Sequence, residues 1–172
     1  IYSRFLESAK ERAKNEGFEG ARWPKCTAYN NSEWPHPCHA FLIWQQPHPI
    51  YFAEQDYRLH PNQGTLDKWK DVVFNTAEFL ASIAHYDSTR NQYVLGPPLI
   101  QVSENVNYSE TLNPTFELAY WRYGLRVAKD WYIRCGLEAP ENIDDVLQNL
   151  APLPVQDGLY VLYEGVEDMW TK

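Results

Sequence analysis

The chain has 172 residues, of which 44% are hydrophobic and 22% are charged, and this is the composition of one globular domain. Fifteen basic and 23 acidic side chains give a net charge of −8, and after Arg134 the only basic residue is Lys172. Because a nucleic-acid-binding surface would be basic, this balance argues against a nucleic-acid partner. No stretch approaches the ~20 consecutive apolar residues that a membrane span needs, so we expect no membrane contact either.

The spacing of apolar residues predicts five helices. The first is one-faced and ends before Gly17, a suitable C-terminal cap, and Thr65 and Asn113 are predicted N-terminal caps of the third and fourth helices. The tail has Asp157-Gly158 before a β-rich run, which predicts a short hairpin. In chain order the predicted helices are 3–16, 49–60, 65–84, 114–136 and 140–150.

The connections between these helices alternate between long and short. Segments 17–48 and 86–112 are far longer than the typical connection of ~4 to 6 residues, whereas the other connections are short. Successive antiparallel helices would place both long loops at one end, so we expect them to form one rim that carries function. The helices after the long loops are the more aromatic, which predicts that they are the inner helices of a helical-hairpin array.

Aromatic residues are unusually frequent, with seven Trp, twelve Tyr and seven Phe. Such a surplus suits a sugar ligand, because the C–H faces of a sugar stack on aromatic rings while its hydroxyl groups bind polar side chains. An aromatic-rich core is the alternative, and composition alone does not choose between them.

The cysteines do not form a disulfide framework, since three of them leave one unpaired, although a Cys26–Cys38 bridge is possible. Cys26, His36, Cys38 and His39 crowd one loop, but their spacing matches no common zinc module, so we predict no metal and no cofactor. Two Asn-X-Ser sequons, at 30–32 and 107–109, are compatible with a secreted protein. The compartment stays open, with a secreted or periplasmic location favoured.

Four blocks of the sequence, in order and spacing, resemble the catalytic barrel of six-hairpin glycosidases, in particular family-65 glycoside hydrolases and maltose-phosphorylase-type enzymes. The resemblance implies an all-α fold in which helical hairpins form part of an (α/α)6 toroid. The blocks are GARWP (20–24), IWQQPHPIYFAEQDYR (43–58), VVFNTAEFLASIAHYD (72–87) and SENVNYSETLNPTFELAYW (103–121).

The resemblance also implies a site on the rim. By position Glu104, nine residues before Asn113, matches the family's general acid, and Glu110 is its rival in the same loop. The chain has Val-Ser-Glu-Asn at 102–105 where the phosphorylases have a Pro-Asp-Glu-Tyr-like sequence, which argues against phosphorylase activity. The substrate-binding residues implied are Arg22, Trp23, Trp44, Gln45, Gln46, His48, Asn105 and Asn113.

The function expected is therefore that of a glycoside hydrolase acting on an oligosaccharide or glycoside, and the family likeness implies an inverting one. Five helices are under half of a twelve-helix toroid, so we expect residues 1–172 to be a partial barrel domain and a fragment of a longer protein. The second carboxylate of an inverting enzyme would then come from a later hairpin, and the remaining barrel segments or another chain would be the partner. The alternatives are a phosphorylase of the same fold, a non-catalytic carbohydrate-binding domain, and a helical scaffold for protein partners.

Overall fold

A computed structural model describes residues 1–36, 38–167 and 169 of the chain. It is an array of helical hairpins that forms part of an (α/α)6 toroid, as predicted. No helix in these described ranges has the length and apolar character needed to cross a bilayer. The helices are α1 Tyr2–Asn15, α2 His48–Leu59, α3 Gln63–Ile83, α4 Thr115–Arg134 and α5 Glu141–Asn149. Two antiparallel pairs accompany them: β1 His85–Asp87 with β2 Gln92–Val94, and β3 Val155–Gln156 with β4 Leu159–Tyr160.

The helices pack in two layers, with α2 and α4 in one and α1, α3 and α5 in the other. Helix α3 runs antiparallel to α4, since Phe74 stacks on Tyr132 at 3.8 Å while Trp121 Nε1 donates to the Leu80 carbonyl at 2.9 Å. Helices α2 and α4 run parallel. His48 pairs with Tyr120 near their N-termini, and Glu54 accepts a hydrogen bond from the Trp131 indole near the end of α4. The apolar side chains between the two layers form the main core.

Glycine allows the closest approach of the two layers. A Cβ atom on Gly124 of α4 would lie 2.9 Å from Leu80 Cδ1 and 3.1 Å from Pro47 Cβ. Both distances are shorter than ordinary van der Waals contacts, so a larger residue where α4 crosses α3 and the start of α2 would require the Leu80 side chain to shift. The crossing fixes the N-terminal ends of α2 and α4 side by side.

Two predicted helix caps were wrong. Helix α3 is capped by Asn62, whose Oδ1 accepts the Thr65 N–H at 3.1 Å, so Thr65 lies inside the helix. Helix α4 is preceded by Pro114 and not by a capping Asn113, because Asn113 has a left-handed backbone and turns its side chain away from the helix. The first error comes from choosing between two nearby cap-forming residues, Asn62 and Thr65, and the second comes from the left-handed backbone of Asn113; short-range sequence preference resolves neither.

The connections also hold structure that the sequence did not indicate. The predicted loop 86–112 begins with the β1–β2 hairpin, in which Tyr86 pairs with Tyr93. The predicted tail hairpin is present, with Val155 opposite Tyr160 around the turn at Asp157. Cys26, Cys38 and Cys135 are free thiols, so the possible Cys26–Cys38 bridge is not formed.

Candidate functional site

The two long connections, 16–47 and 84–114, meet at one end of the helical array, as predicted. The Ile100 N–H donates to the Phe41 carbonyl at 3.0 Å, and the Phe41 ring stacks on Tyr108 at 4.7 Å. The short connections, 60–62 and 135–140, lie at the opposite end. We call these two ends the long-loop rim and the short-loop end.

Glu104 lies exposed on the long-loop rim and joins its two loops. Its carboxylate forms an ion pair with Lys25 Nζ, which comes from the other loop. The Glu104 backbone is in the left-handed region, with φ 62°, and its N–H donates to the Gln101 carbonyl at 2.9 Å. A non-glycine residue held in this region often marks a functional site, because the surrounding structure must impose the strain.

The other predicted residues of this loop differ in their settings. Asn105 is exposed and its Oδ1 accepts from Gln101 Nε2 at 3.3 Å, while Glu110 is exposed and accepts from Asn107 Nδ2 at 2.9 Å. Asn113 is buried. Its Oδ1 accepts the Leu95 N–H at 3.0 Å, and its Nδ2 donates to Glu164 in the C-terminal tail at 2.7 Å. Asn113 therefore ties the loop to the tail, and it does not face solvent in this chain.

Four of the predicted sugar-binding residues form one buried cluster. The Trp23 backbone N–H donates to Gln46 Oε1 at 2.9 Å, and Gln45 Nε2 donates to the Trp23 carbonyl at 3.0 Å. The Trp23 indole donates to Thr76 Oγ1 at 2.9 Å, and Arg22 binds the Ala40 carbonyl at 3.0 Å. These contacts fasten the first loop to α3 and to the start of α2, which explains why the four residues are hidden from solvent.

Trp44 and His48 lie instead on an aromatic surface of α2 and α4. His48 Nδ1 is 2.8 Å from the Tyr120 hydroxyl oxygen, and its ring contacts both Trp44 and Phe52 edge to face. Burial lowers the pKa of His48, so the neutral imidazole is favoured. Tyr51, Phe52 and Phe116 remain more than 40% exposed. We call this surface the inner aromatic face, and it consists of Trp44, His48, Tyr51, Phe52, Phe116, Tyr120 and Tyr123.

Sequence reasoning missed Glu117 in the first turn of α4. Its side chain is fully buried, and both carboxyl oxygens lack a hydrogen-bond partner among the described residues. Burial raises the pKa of Glu117 to about 7, although the amides of Glu117 itself and of Val102 act in the opposite direction. A signal was present in the sequence, since Glu117 precedes the buried Trp121 by four residues and so lies on the core face of the helix.

A cavity of about 390 Å³ lies on the long-loop rim, separate from the inner aromatic face. It is lined by the C-terminal ends of α1 and α3 together with both long loops, and Arg22 is one of its few charged residues. No residue of the inner aromatic face lines it, and Arg22 is the predicted site residue that does. In the part of the chain that the structure describes, no three His, Cys, Asp or Glu side chains group as metal ligands.

The overall geometry is shared with a solved carbohydrate-enzyme structure described as "Putative kojibiose phosphorylase from human microbiome". The likeness covers 95% of this chain with a TM-score of 0.74 and 16% sequence identity. This chain spans 24% of that protein's length. No family model and no curated protein matches the sequence. The fold is thus that of a segment of the (α/α)6 toroid.

Proposed function

We propose that the chain is part of the catalytic barrel of a carbohydrate-active enzyme that cleaves a glycosidic bond, with Glu104 as the proton donor. The observation that carries the proposal is the position of Glu104 at the junction of the two long loops, in a strained backbone conformation, on a toroid segment shared with a carbohydrate enzyme. General acid catalysis needs a carboxyl group that can reach the glycosidic oxygen, and an exposed rim residue has that access.

Lys25 has a defined part in this proposal. In the free chain its ammonium group is paired with the Glu104 carboxylate, so a bound sugar must displace it, and the carboxylate must take up a proton from solvent, before Glu104 can donate that proton. Donation to the glycosidic oxygen breaks the bond to the leaving sugar, and an activated water attacks the anomeric carbon from the other face. The base for that water belongs to a part of the barrel other than the described rim.

The inner aromatic face supports a sugar ligand. Trp44 and His48 sit at its rim end, where the N-terminal ends of α2 and α4 meet, and Trp44 Nε1 is buried without a hydrogen-bond partner in the described chain. We assign sugar contact to Trp44, His48 and Asn105. We assign to the buried residues the role of holding the long loops in place; these residues are Arg22, Trp23, Gln45, Gln46 and Asn113.

The same face accounts for the expected partner. In a complete toroid its exposed rings would face the centre. We therefore infer that further hairpins of the same barrel, supplied by a longer protein or by another chain, pack near these rings and cover them. The fourfold greater length of the related structure is in accord with this assignment.

Replacement of Glu104 tests the assignment of the acid. Glu104→Gln keeps the size of the side chain and removes the proton, so turnover of glycosides in the whole protein should fall by about 10²- to 10⁴-fold while sugar affinity survives. Glu110→Gln is the matched change in the same loop and should leave turnover close to wild type. Unchanged turnover in Glu104→Gln, or a loss confined to Glu110→Gln, would remove Glu104 from the role.

A phosphorylase is the second candidate, because the related structure is described as one. The two reactions differ in the acceptor of the glycosyl group, which is water in hydrolysis and inorganic phosphate in phosphorolysis. Assays with and without phosphate therefore decide between them. A sugar phosphate as the product would replace the hydrolase proposal, whereas a free sugar formed at equal rate without phosphate would support it.

A further inference from the structure

The cavity on the long-loop rim is a space that the proposed function does not use. Its volume of about 390 Å³ is in the range of small-molecule sites, and most of its lining side chains are apolar. The polar side chains of the lining are Glu16, Arg22 and His85. Neither Glu104 nor any of the residues assigned to sugar contact lines it. The cavity therefore lies apart from the proposed sugar site.

The cavity is formed between two neighbouring helices of the described chain. Helix α1 packs on α3, and the segment that follows α1 is fastened to the end of α3, because the Glu19 N–H donates to Ser82 Oγ at 2.9 Å. Phe18, which lines the cavity, packs edge to face on Phe79 of α3 at 5.7 Å. The site thus does not depend on the further hairpins that we infer to cover the inner aromatic face.

Hydrogen bonds hold the part of the lining that comes from the two long loops. The Leu95 N–H donates to Asn113 Oδ1 at 3.0 Å. The Leu99 N–H donates to the Tyr108 carbonyl at 2.9 Å, and the Phe41 ring stacks on the Tyr108 ring at 4.7 Å. These contacts fix the lining before any ligand arrives, so the entropy that a ligand loses by ordering the loops is small.

A buried arginine is the main polar group of the lining. Arg22 is 1% exposed, its Nε lies 2.7 Å from Glu16 Oε2, and its Nη2 donates to the Ala40 carbonyl at 3.0 Å. Arg22 Nη1 is also buried, and it has no hydrogen-bond partner among the described residues. Native proteins rarely leave a buried N–H group unpaired. The guanidinium therefore keeps a donor that a ligand can use, and the Glu16 side chain beside it is 33% exposed.

The charges around Arg22 already balance. Glu33 Oε1 lies 3.7 Å from Arg22 Nη1, and Glu33 Oε2 lies 3.7 Å from Arg12 Nε. With Glu16, two acidic side chains thus face two basic ones. A charged ligand would add an uncompensated charge to this partly buried network, which is costly. A hydroxyl group avoids the cost, because it can donate to a carboxylate and accept from a guanidinium while staying neutral.

We propose that the cavity binds a small, mainly apolar molecule that carries one neutral hydroxyl group, such as a phenol or a fused-ring alcohol. Its apolar part lies among Phe41, Ile83 and Leu99, and its hydroxyl group binds the Glu16–Arg22 pair. Removal of the apolar part from water supplies most of the affinity, and the polar pair selects the hydroxyl group. The site is independent of the role proposed for Glu104, so either proposal can fail without the other.

Binding of 2-naphthol to the whole protein tests the inference. Naphthalene and 2-naphthoate are the matched probes, because they keep the flat apolar body and carry no polar group or a negative charge. Titration calorimetry should give a dissociation constant of about 10–100 µM for 2-naphthol and values about tenfold higher for the other two probes. The absence of saturable 2-naphthol binding up to about 1 mM would overturn the inference, and so would equal or tighter binding of either matched probe.

Substitutions that fill the cavity show where the probe binds. Ala40 is exposed and lines the cavity, so Ala40→Trp should weaken 2-naphthol binding about tenfold with little change in melting temperature. Ile83→Trp fills the cavity from the end of α3 and should have the same effect. Ala28→Trp is the control, since Ala28 is exposed in the same long loop and does not line the cavity. If both filling variants bind 2-naphthol as wild type does, the probe binds elsewhere and the inference is wrong.

A change at Glu16 tests the polar end of the cavity. Glu16→Gln keeps the size of the side chain and removes its charge, so affinity for 2-naphthol should fall about tenfold while affinity for naphthalene is unchanged. Glu19→Gln is the matched control, because Glu19 is an exposed acid nearby that does not line the cavity. Equal weakening of both probes in Glu16→Gln, or no weakening of either, would contradict the assignment of the hydroxyl group to this pair.

Discussion

Selected acidic side chains at the two ends of the helical array have contrasting surroundings. At the short-loop end Glu54 is satisfied by Arg58, Trp131 and Arg134, and hydrogen bonds from Lys68, Trp69 and His60 hold the pKa of Asp56 well below its usual range. At the long-loop rim Glu117 is buried without a partner among the described residues, and Glu104 is exposed on a strained backbone. Glu54 and Asp56 are thus held by hydrogen bonds that stabilise the short-loop end, whereas Glu117 at the rim has none among the described residues and Glu104 is accessible to a ligand.

The largest expected effect comes from breaking the short-loop end. Glu54→Met leaves the Arg134 guanidinium partly buried without its carboxylate and removes the acceptor of the Trp131 indole. Removal of one member of a buried ion pair costs about 3–5 kcal/mol, and we expect that loss in the free energy of unfolding.

Urea denaturation measures this loss, and the double variant Glu54→Met with Arg134→Met is its control. The double variant should be more stable than the single one, since neither charge is left alone. If the free energy of unfolding of the single variant lies within about 1 kcal/mol of the wild-type value, the network around Glu54 does not stabilise the short-loop end as proposed.

The next effect concerns the pH dependence of stability at Glu117. Its pKa is about 7 in the folded chain and has an ordinary value of 4.5, so between these pH values the folded state holds a proton that the unfolded state releases. Raising the pH through this window therefore favours unfolding, and the stability lost amounts to about 3 kcal/mol. Above the folded pKa the loss is complete.

Glu117→Gln cannot ionise and should not show this loss. The difference in unfolding free energy between Glu117→Gln and wild type should therefore grow by about 3 kcal/mol from pH 5 to pH 8 in favour of the variant. Urea denaturation at the two pH values checks it. A difference that does not change with pH would mean that Glu117 is as well satisfied as Glu54, and the contrast between the two ends would disappear.

Much of this architecture could be predicted from the sequence, because helix periodicity and loop length are local signals. The five helices, the hairpin at Asp157 and the single rim followed from them. Caps and the β1–β2 hairpin were harder, since Asn62 and Thr65 are both good caps and only packing decides between them.

The candidate site was less predictable, because burial is a tertiary property. Trp23 and Trp44 look alike in sequence, yet the first is fixed in the loop core and the second borders an exposed aromatic surface. Glu117 was missed because an acid in a first helical turn is normally read as favourable to the helix dipole. Its place on the core face of α4 was the signal that mattered.

A smaller effect is expected for Trp44 on the rim. Trp44→Ala should weaken sugar binding about tenfold, which is about 1.4 kcal/mol, while changing the free energy of unfolding by less than that, because the ring is only half-buried. Titration calorimetry and urea denaturation give the two numbers. Trp131→Ala at the short-loop end is the control, with the opposite result: a loss of about 3–5 kcal/mol in stability and sugar affinity preserved in the folded fraction. A large stability loss in Trp44→Ala would place that ring in the core.

The smallest effect is the coupling between Lys25 and Glu104. This ion pair is partly exposed, with 23% and 39% of the two side chains accessible, so a double-mutant cycle with Lys25→Met and Glu104→Gln should give a coupling energy below about 1 kcal/mol. The coupling should fall further at high salt, whereas the coupling of Glu54 with Arg134 should persist. A weak pair at the rim lets Glu104 exchange Lys25 for a glycosidic oxygen at little cost. A coupling at the rim as strong as that at the short-loop end would instead make Lys25 a lock on Glu104, and the carboxyl would then not be available as an acid.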